Sequence, residues 1–391
     1  MKTKVFVLFI LIAGVVSAFP QGLIFHGGVR NSVYSYESEK NHTRVYQYSH
    51  LSVSTADRNI RLNTSFRFLT DVNETLPDTK RFLAYDFYVR FSNLANKRMQ
   101  IDAGRQFLHP GTPLGALDGV KVDYNLQNYS VTVYGGYQSN YLRNFDIANS
   151  NAVGGGYFQV KNHLHSRFQL LYLQKNNDNA TIWQLGGLNT YTSIGKTNVS
   201  FEGHYDFQNS RFHRILLSAR QGITDKLRAN AEFKQQQPQV YANSYFTIFQ
   251  VDPYTQYRFG LGYNIYADYY VQGQVQHIQF DGESAERFFL YLNNPHGSIG
   301  MSYDSGYAGD QLSLMFDYAI QLYEKFTLSA MVDYSHYRTE EIYEYENQLG
   351  NGLRLNYRLN SHLSVDVEYQ WLNNQFKESD NRFLNHILYR W

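Results

Sequence analysis

The sequence predicts an all-β fold, a transmembrane antiparallel up-and-down β-barrel, and three observations lead to it. Apolar and polar residues alternate in segment after segment, which is the period of a β-strand with two different faces. The chain is 17% aromatic and yet has a mean hydropathy of -0.47. Connections between the alternating segments are short and long in turn. Together these features are typical of a barrel with one lipid-facing and one water-facing surface.

The alternating segments follow one another along the chain after its first residues. Residues 60–68, 83–91, 199–207, 227–234, 312–320, 326–334 and 363–371 are among the clearest. Helical periodicity appears nowhere with comparable clarity. The alternative is a soluble β-sandwich, which needs apolar residues on facing sheets to form a dry core and shows more Gly/Pro punctuation than a chain with 7 Pro. The length of the alternating series favours the barrel.

The connections indicate the number of strands. Short ones include 56–58, 126–128, 224–226, 323–325 and 360–362, and longer ones include 71–80, 108–116, 140–152, 238–254, 337–344 and 374–381. Short periplasmic turns and long outer loops are the usual arrangement in outer-membrane barrels, whose strand number is even in bacterial single chains. We therefore predict about 22 strands, with 18–20 if weak ones merge. Residues 284–305 read either as two short strands or as one interrupted strand.

The N-terminus predicts a signal peptide over residues 1–18. Lys2 and Lys4 precede an apolar run, and Val16-Ser17-Ala18 is an acceptable cleavage site. The run is short for a transmembrane helix, which needs about 20 residues. Residues 19–391 are then predicted to form a single barrel domain. Alternation begins near residue 22, so we expect no N-terminal plug domain of the kind that wide transporter barrels contain.

The last strand ends the chain on an aromatic residue. Phe383, Ile387, Tyr389 and Trp391 share one parity, and Asn385 interrupts the row. An unpaired apolar strand end is a liability in a soluble protein, whereas in a barrel the strand pairs with the first one. The pattern resembles the C-terminal β-signal of bacterial outer-membrane proteins. That resemblance implies that these residues form an assembly signal, with the barrel-assembly machinery and outer-membrane lipid as partners and the bacterial outer membrane as the location.

Composition excludes several classes of function. With 0 Cys the chain has no disulfide, no thiolate metal site and no means of attaching c-type haem, and a net charge of +1 gives no reason to expect nucleic acid as a partner. Known catalytic motifs are absent, and the 13 His are scattered. We expect no enzymatic activity, no cofactor and no metal. An outer-membrane lipase built around His50 and Ser52 is the remaining enzymatic alternative.

One hairpin carries a more specific resemblance. Ile101-Asp-Ala-Gly-Arg-Gln106 is followed by a Gly/Pro loop and then by Leu117-Asp-Gly-Val120. This stretch of about 25 residues looks like a hairpin of bacterial porins, including the alginate-export-like group. The resemblance implies that Arg105, Gln106 and Asp118 form a constriction. Arg105 shares its parity with apolar residues, so a bulge or a position at the membrane rim is needed. The alternative is a structural Arg–Asp pair that fixes the hairpin.

The polar parity of the strands predicts the lumen wall. Its charged members are of both signs, and a wall without a dominant sign argues against a strong ion filter. The predicted lumen-lining residues are Arg61, Arg67, Asp86, Arg90, Lys121, Asp123, Glu202, Arg228, Glu232, Asp333, Arg354, Arg358, Asp366 and Glu368.

From these features we expect an outer-membrane, porin-like channel for passive diffusion of small polar solutes. The alternative is a structural barrel that sheathes a periplasmic or lumenal partner protein, as in porin–cytochrome conduits, with no free pore. Both readings use the same barrel, and they differ in what fills its lumen.

Overall fold

The structure is a computed structural model that describes residues 22–391 apart from 38–39, 78–80, 109–114, 140–150, 164, 178–179, 238–252, 267, 308, 341 and 376. The predicted signal peptide and most of the loops at 108–116, 140–152 and 238–254 lie outside the described residues. Within them, no helix is long and apolar enough to cross a membrane. One short helical segment, Leu94–Lys97, is a tight connection in which Ala95 and Asn96 have positive φ.

Strands make up almost all of the described chain. In chain order they are β1 (Leu23–Glu37), β2 (Asn41–Thr55), β3 (Ile60–Asp71), β4 (Phe82–Asn93), β5 (Met99–Leu108), β6 (Gly115–Asn125), β7 (Tyr129–Gln138), β8 (Ala152–His163), β9 (Ser166–Asn177), β10 (Ala180–Ile194), β11 (Thr197–Asp206), β12 (Arg211–Gly222), β13 (Leu227–Gln236), β14 (Tyr254–Tyr266), β15 (Tyr269–Gln279), β16 (Ser284–Asn294), β17 (Gly297–Gly306), β18 (Asp310–Tyr323), β19 (Phe326–Arg338), β20 (Glu346–Arg358), β21 (Leu363–Asn374) and β22 (Lys377–Arg390).

The strands form one closed antiparallel barrel. Each pairs with its neighbours in sequence, and β1 pairs with β22 from Gly28↔Arg390 to Ser35↔Phe383. Closure removes both sheet edges, as a structure that spans lipid requires. The predicted fold class is confirmed, and the strand count is 22. Residues 284–305 form two strands, β16 and β17, joined at residues 295–296.

The connections divide between two rims. One rim holds the two ends of the described chain, residues 22 and 391, and only short turns, at residues 56–59, 94–98, 126–128, 164–165, 195–196, 223–226, 267–268, 295–296, 324–325 and 359–362. The other rim holds the long connections, including 72–81, 139–151 and 237–253. We call these the short-turn rim and the long-loop rim. By the usual arrangement the short-turn rim faces the periplasm.

Burial is inverted relative to a soluble protein. On β18, Leu314 is 47% exposed, whereas the neighbouring Ser313 is 7% exposed and hydrogen bonds to Ser335 at 2.9 Å. Large exposed hydrophobic side chains recur in this way on most of the strands. A continuous apolar exterior of this extent is stable only against lipid. The strands therefore place their apolar parity outside and their polar parity towards the lumen.

Candidate functional site: the inner wall

The strand register identifies the inner face residue by residue. Arg61 lies opposite Arg90, Glu232 opposite Arg258, and Arg354 opposite Glu368, each between outward-facing apolar neighbours. Followed around the barrel, the register puts every residue of the predicted lumen-lining set on this same face. Their role in solute passage stays a prediction.

Ion pairs run across β4, β5 and β6. The Arg90 guanidinium binds both carboxylate oxygens of Asp102, at 2.8 and 3.0 Å. Lys121 lies on the other side of Asp102, with its Nζ 3.2 Å from Oδ2, and also 2.9 Å from Asp123. Thr132 donates to Asp123 at 2.6 Å. We call Arg90 on β4, Asp102 on β5, and Lys121 and Asp123 on β6 the charge ladder, in which each cation contacts a carboxylate.

Asp102 is the member of the charge ladder that the predicted lining set missed. Its side chain is 2% exposed, and it is the shared partner of two cations. Sequence alternation does contain the signal, since Gln100 and Asp102 are the polar residues between Met99, Ile101 and Ala103. Knowing that Asp102 faces both Arg90 and Lys121 requires the register of three strands.

The same pairing recurs elsewhere on the inner wall. Three further cross-strand pairs join neighbouring strands, namely Arg214–Glu202 at 3.1 Å, Arg258–Glu232 at 3.4 Å and Arg354–Asp366 at 2.8 Å. Because each cation lies within contact distance of a carboxylate, the field of the two largely cancels a few ångströms into the lumen. The inner wall is thus polar, but much of it is electrically balanced.

Arg105 and Asp118 meet across the β5–β6 hairpin. Nε and one terminal nitrogen of Arg105 donate to the two Asp118 oxygens at 2.6 and 2.7 Å, and the other terminal nitrogen donates to the Ala84 carbonyl at 3.4 Å. The two side chains are 5% and 9% exposed. Gln106 is also buried and donates to the Asp102 carbonyl at 3.2 Å. The pair thus links three strands, and its role as a constriction stays a prediction.

Two backbone irregularities lie beside Arg105. Gly104 has φ of +126°, and an added Cβ would lie 2.3 Å from the Phe87 carbonyl oxygen. The β3–β4 register shifts between Ser65 and Phe66, which is a bulge beside the same place. The β5–β6 register nevertheless runs without a shift from Met99 to Leu108, so Arg105 and Asp118 keep the parity of the outward-facing Ala103 and Phe107.

An apolar cluster on the inner face was not predicted. It lies near the long-loop rim on β5 to β10, and it consists of Leu108, Leu117, Tyr134, Val153, Leu173, Trp183 and Leu185. Lys175 lies over the Trp183 ring with its Nζ 5.3 Å from the centroid, and His213 contacts the same ring edge-on at 5.3 Å. The sequence did not reveal this cluster, because its members lie on six strands and come together only through the pairing of those strands.

The C-terminal row lies on the outer face at the seam of β1 and β22. Phe383, Ile387 and Tyr389 are each 49% exposed. Trp391 exchanges backbone hydrogen bonds with Gly27, at 3.1 and 3.3 Å. The last residues therefore close the barrel, while their use as an assembly signal stays a prediction. No group of His, Asp or Glu in the described part of the chain could hold a metal ion.

Comparison with known proteins finds solved structures of similar fold but assigns the chain to no family. No protein-family model matches this chain, and no curated protein matches its sequence. Among solved structures, the chain is similar to Acinetobacter baumannii OccAB4 (TM-score 0.48, 10% identity, 95% of this chain and 99% of that one). It is also similar to a BenF-like porin from Pseudomonas fluorescens Pf-5 (TM-score 0.46, 10% identity, 95% and 99%). The P pilus usher PapC translocation pore gives TM-score 0.47 at 8% identity, covering 94% and 99%.

These likenesses concern the barrel alone and carry no argument about what crosses it. The conclusion instead rests on closure, inverted burial and the polar inner face. The protein is a 22-stranded antiparallel β-barrel of the bacterial outer membrane.

Proposed function

We propose that this barrel is a passive diffusion channel for small polar solutes. The observation that carries the proposal is the inner wall, where polar side chains line the lumen and many charges are held in cross-strand pairs. A wall of this kind keeps water and solutes hydrated, and most of it binds no single sign of charge strongly. Passage is then set by lumen width, with weak electrostatic tuning.

The barrel is wide enough for such a role. With strands about 4.8 Å apart and tilted by about 40°, 22 strands give a backbone radius of about 20 Å. Inward side chains reduce this radius, and the buried apolar cluster on β5 to β10 reduces it on one side of the long-loop rim. The geometry suits molecules the size of sugars, amino acids and small carboxylic acids.

Single-channel recording in a planar bilayer tests the proposal directly. Barrel purified from outer membranes is expected to give steady conductance steps in salt solution. Folding is checked on the same sample by heat-modifiable migration in gels. A folded barrel that shows no conductance would contradict the channel and favour the alternative, a sheath whose lumen is filled by a partner. Proteins that copurify with the barrel would then identify that partner.

A further inference from the structure

Besides Arg167, the second residue of β9, five arginines on the inner wall lie at the short-turn rim. Arg61 is the second residue of β3, and Arg228 is the second residue of β13. Arg220 is two residues before the end of β12, and Arg358 and Arg390 are the last residues of β20 and β22. All five have the inward parity of the charged residues described above. We call them the mouth arginines.

The mouth arginines lack acidic partners among the described residues, as do Arg67 and Lys234 higher on the wall, whereas most of the other inward cations described above are held in ion pairs. In the described part of the chain, none of the five has a carboxylate within salt-bridge distance. Arg61 lies directly opposite another cation, Arg90, whose charge Asp102 already balances. Arg358 faces Ser364, and Arg228 faces Gly222 and Gly262. None of the five is therefore held in an ion pair among the described residues.

Their positions around the barrel form two opposed arcs. Arg358, Arg390 and Arg61 belong to β20, β22 and β3, which are near neighbours across the β1–β22 seam. Arg220 and Arg228 belong to β12 and β13, half the circumference away. Four of the five side chains, all but Arg61, lie on exposed residues. A solute that crosses this mouth passes between two groups of guanidinium ions.

The range of their field follows from screening. A backbone radius of about 20 Å, less the reach of an arginine, leaves the axis somewhat farther than one Debye length from the ring at about 0.15 M salt, where that length is about 8 Å. At about 0.01 M the Debye length is about 30 Å, so the two arcs act together across the whole mouth. At about 1 M it is about 3 Å, and only the wall itself is affected.

We propose that the mouth arginines make the short-turn mouth an anion-accumulating ring, so that the channel is asymmetric along its axis. This inference rests on the proposed channel function and places its electrostatic selectivity at one end of the lumen. Anions are enriched at that mouth, while most charges on the wall above it are held in ion pairs. Fixed charge at one end of a pore also enriches ions in the lumen at one polarity and depletes them at the other. The current–voltage curve is then asymmetric.

The test compares the wild-type barrel with two five-site variants in planar bilayers. In the first, Arg61→Gln, Arg220→Gln, Arg228→Gln, Arg358→Gln and Arg390→Gln remove the charge. In the second, lysine replaces the same arginines and retains the charge. Reversal potentials under a KCl gradient at low salt measure the anion preference, and current–voltage curves measure the asymmetry. Heat-modifiable migration checks that each barrel is folded.

We expect the wild type to prefer Cl⁻ over K⁺ by about threefold at low salt and to lose the preference near 1 M. The glutamine variant should conduct with little anion preference and a symmetric curve, and the lysine variant should behave like the wild type. A conducting wild type without anion preference at low salt, or a glutamine variant that keeps it, would overturn the inference. A folded barrel with no conductance would instead contradict the channel function itself, so the two failures are distinguishable.

If the glutamine variant does not fold, the subset Arg220→Gln with Arg228→Gln repeats the test with a smaller expected shift.

Discussion

At the scale of single residues, a buried carboxylate shared by two cations is the most constrained feature of the inner wall. Asp102 accepts from Arg90 and from Gln100, and it contacts Lys121. A buried charge is tolerated only when paired, and removal of one partner leaves an uncompensated charge. The stability of β4 to β6 therefore depends on Asp102 more than on the half-exposed charges of the wall.

Asp102→Asn is expected to destabilise the barrel by about 3 kcal/mol, because Arg90 and Lys121 are left close together without the charge between them. Asp123→Asn is the matched control, since Asp123 contacts only one of these cations and is more exposed, and about 1 kcal/mol is expected. Denaturant unfolding of barrels refolded in lipid vesicles measures both. Equal losses for the two variants would contradict the central role of Asp102.

Substitutions at the Arg105–Asp118 pair can distinguish a constriction of the pore from a structural pair that fixes the hairpin. Burial of both side chains favours the structural one, so Arg105→Gln should lower the free energy of unfolding by about 3 kcal/mol. The double variant Arg105→Met with Asp118→Leu should recover much of that loss, because it leaves no unpaired charge. Its conductance should remain close to that of the wild type. A folded double variant with a markedly larger conductance would show that the pair narrows the pore.

At the scale of the strands, the seam between β1 and β22 combines glycine with bulky partners on both faces. A Cβ at Gly27 would lie 2.6 Å from the Trp391 ring outside, and one at Gly28 would lie 2.7 Å from the His50 ring inside. The absence of side chains at these two positions lets the last strand dock closely against the first. His50 thus lies on the inner face, away from the lipid.

Trp391→Ala is expected to reduce the amount of folded barrel in the outer membrane of cells, because the terminal aromatic residue is part of the proposed assembly signal. Trp371→Ala is the matched control, since Trp371 has the outward parity of β21 but lies far from the terminus. Heat-modifiable migration of membrane extracts measures the folded amount. Refolding in vitro should be affected to a similar extent in both variants. An equal loss of folded barrel in cells for both variants would argue against an assembly signal at Trp391.

At the scale of the whole molecule, alternation places an apolar surface outside and a polar surface inside, and closure satisfies the backbone of every strand. The two rims differ in the lengths of their connections and in charge. The mouth arginines lie at the rim of short turns, where the two ends of the described chain also lie. Orientation in the membrane therefore decides which compartment meets the electropositive mouth.

Orientation can be measured because the chain contains 0 Cys. A cysteine introduced at Asp281, in the turn between β15 and β16, should react in intact cells with a maleimide on a polymer too large for the pore. A cysteine at Ser361, in the short turn between β20 and β21, should react only after the outer membrane is permeabilised. The reverse pattern would place the short-turn rim outside the cell.

Much of the architecture is predictable from sequence because strand alternation is a local property. Residues 312–320 reveal their two faces without any knowledge of neighbours, and the short and long connections indicate how the strands succeed one another. The same reasoning places Arg354 and Asp366 on one face. It cannot show that they touch, since contact depends on the register of β20 and β21, which the turn at 359–362 sets.

The sequence by itself determined the barrel, its strand count to within a few strands, and which parity of each strand faces the lumen, because each of these follows from a period of two and from turn spacing. The tertiary structure decided which charges meet: Asp102 is balanced by two cations, whereas Arg61 and Arg228 have no carboxylate within salt-bridge distance among the described residues. It also decided that Leu117 and Trp183 form an apolar cluster inside the barrel. The physical reason is that cross-strand neighbours are distant in sequence, and Coulomb and packing energies depend on separation in space.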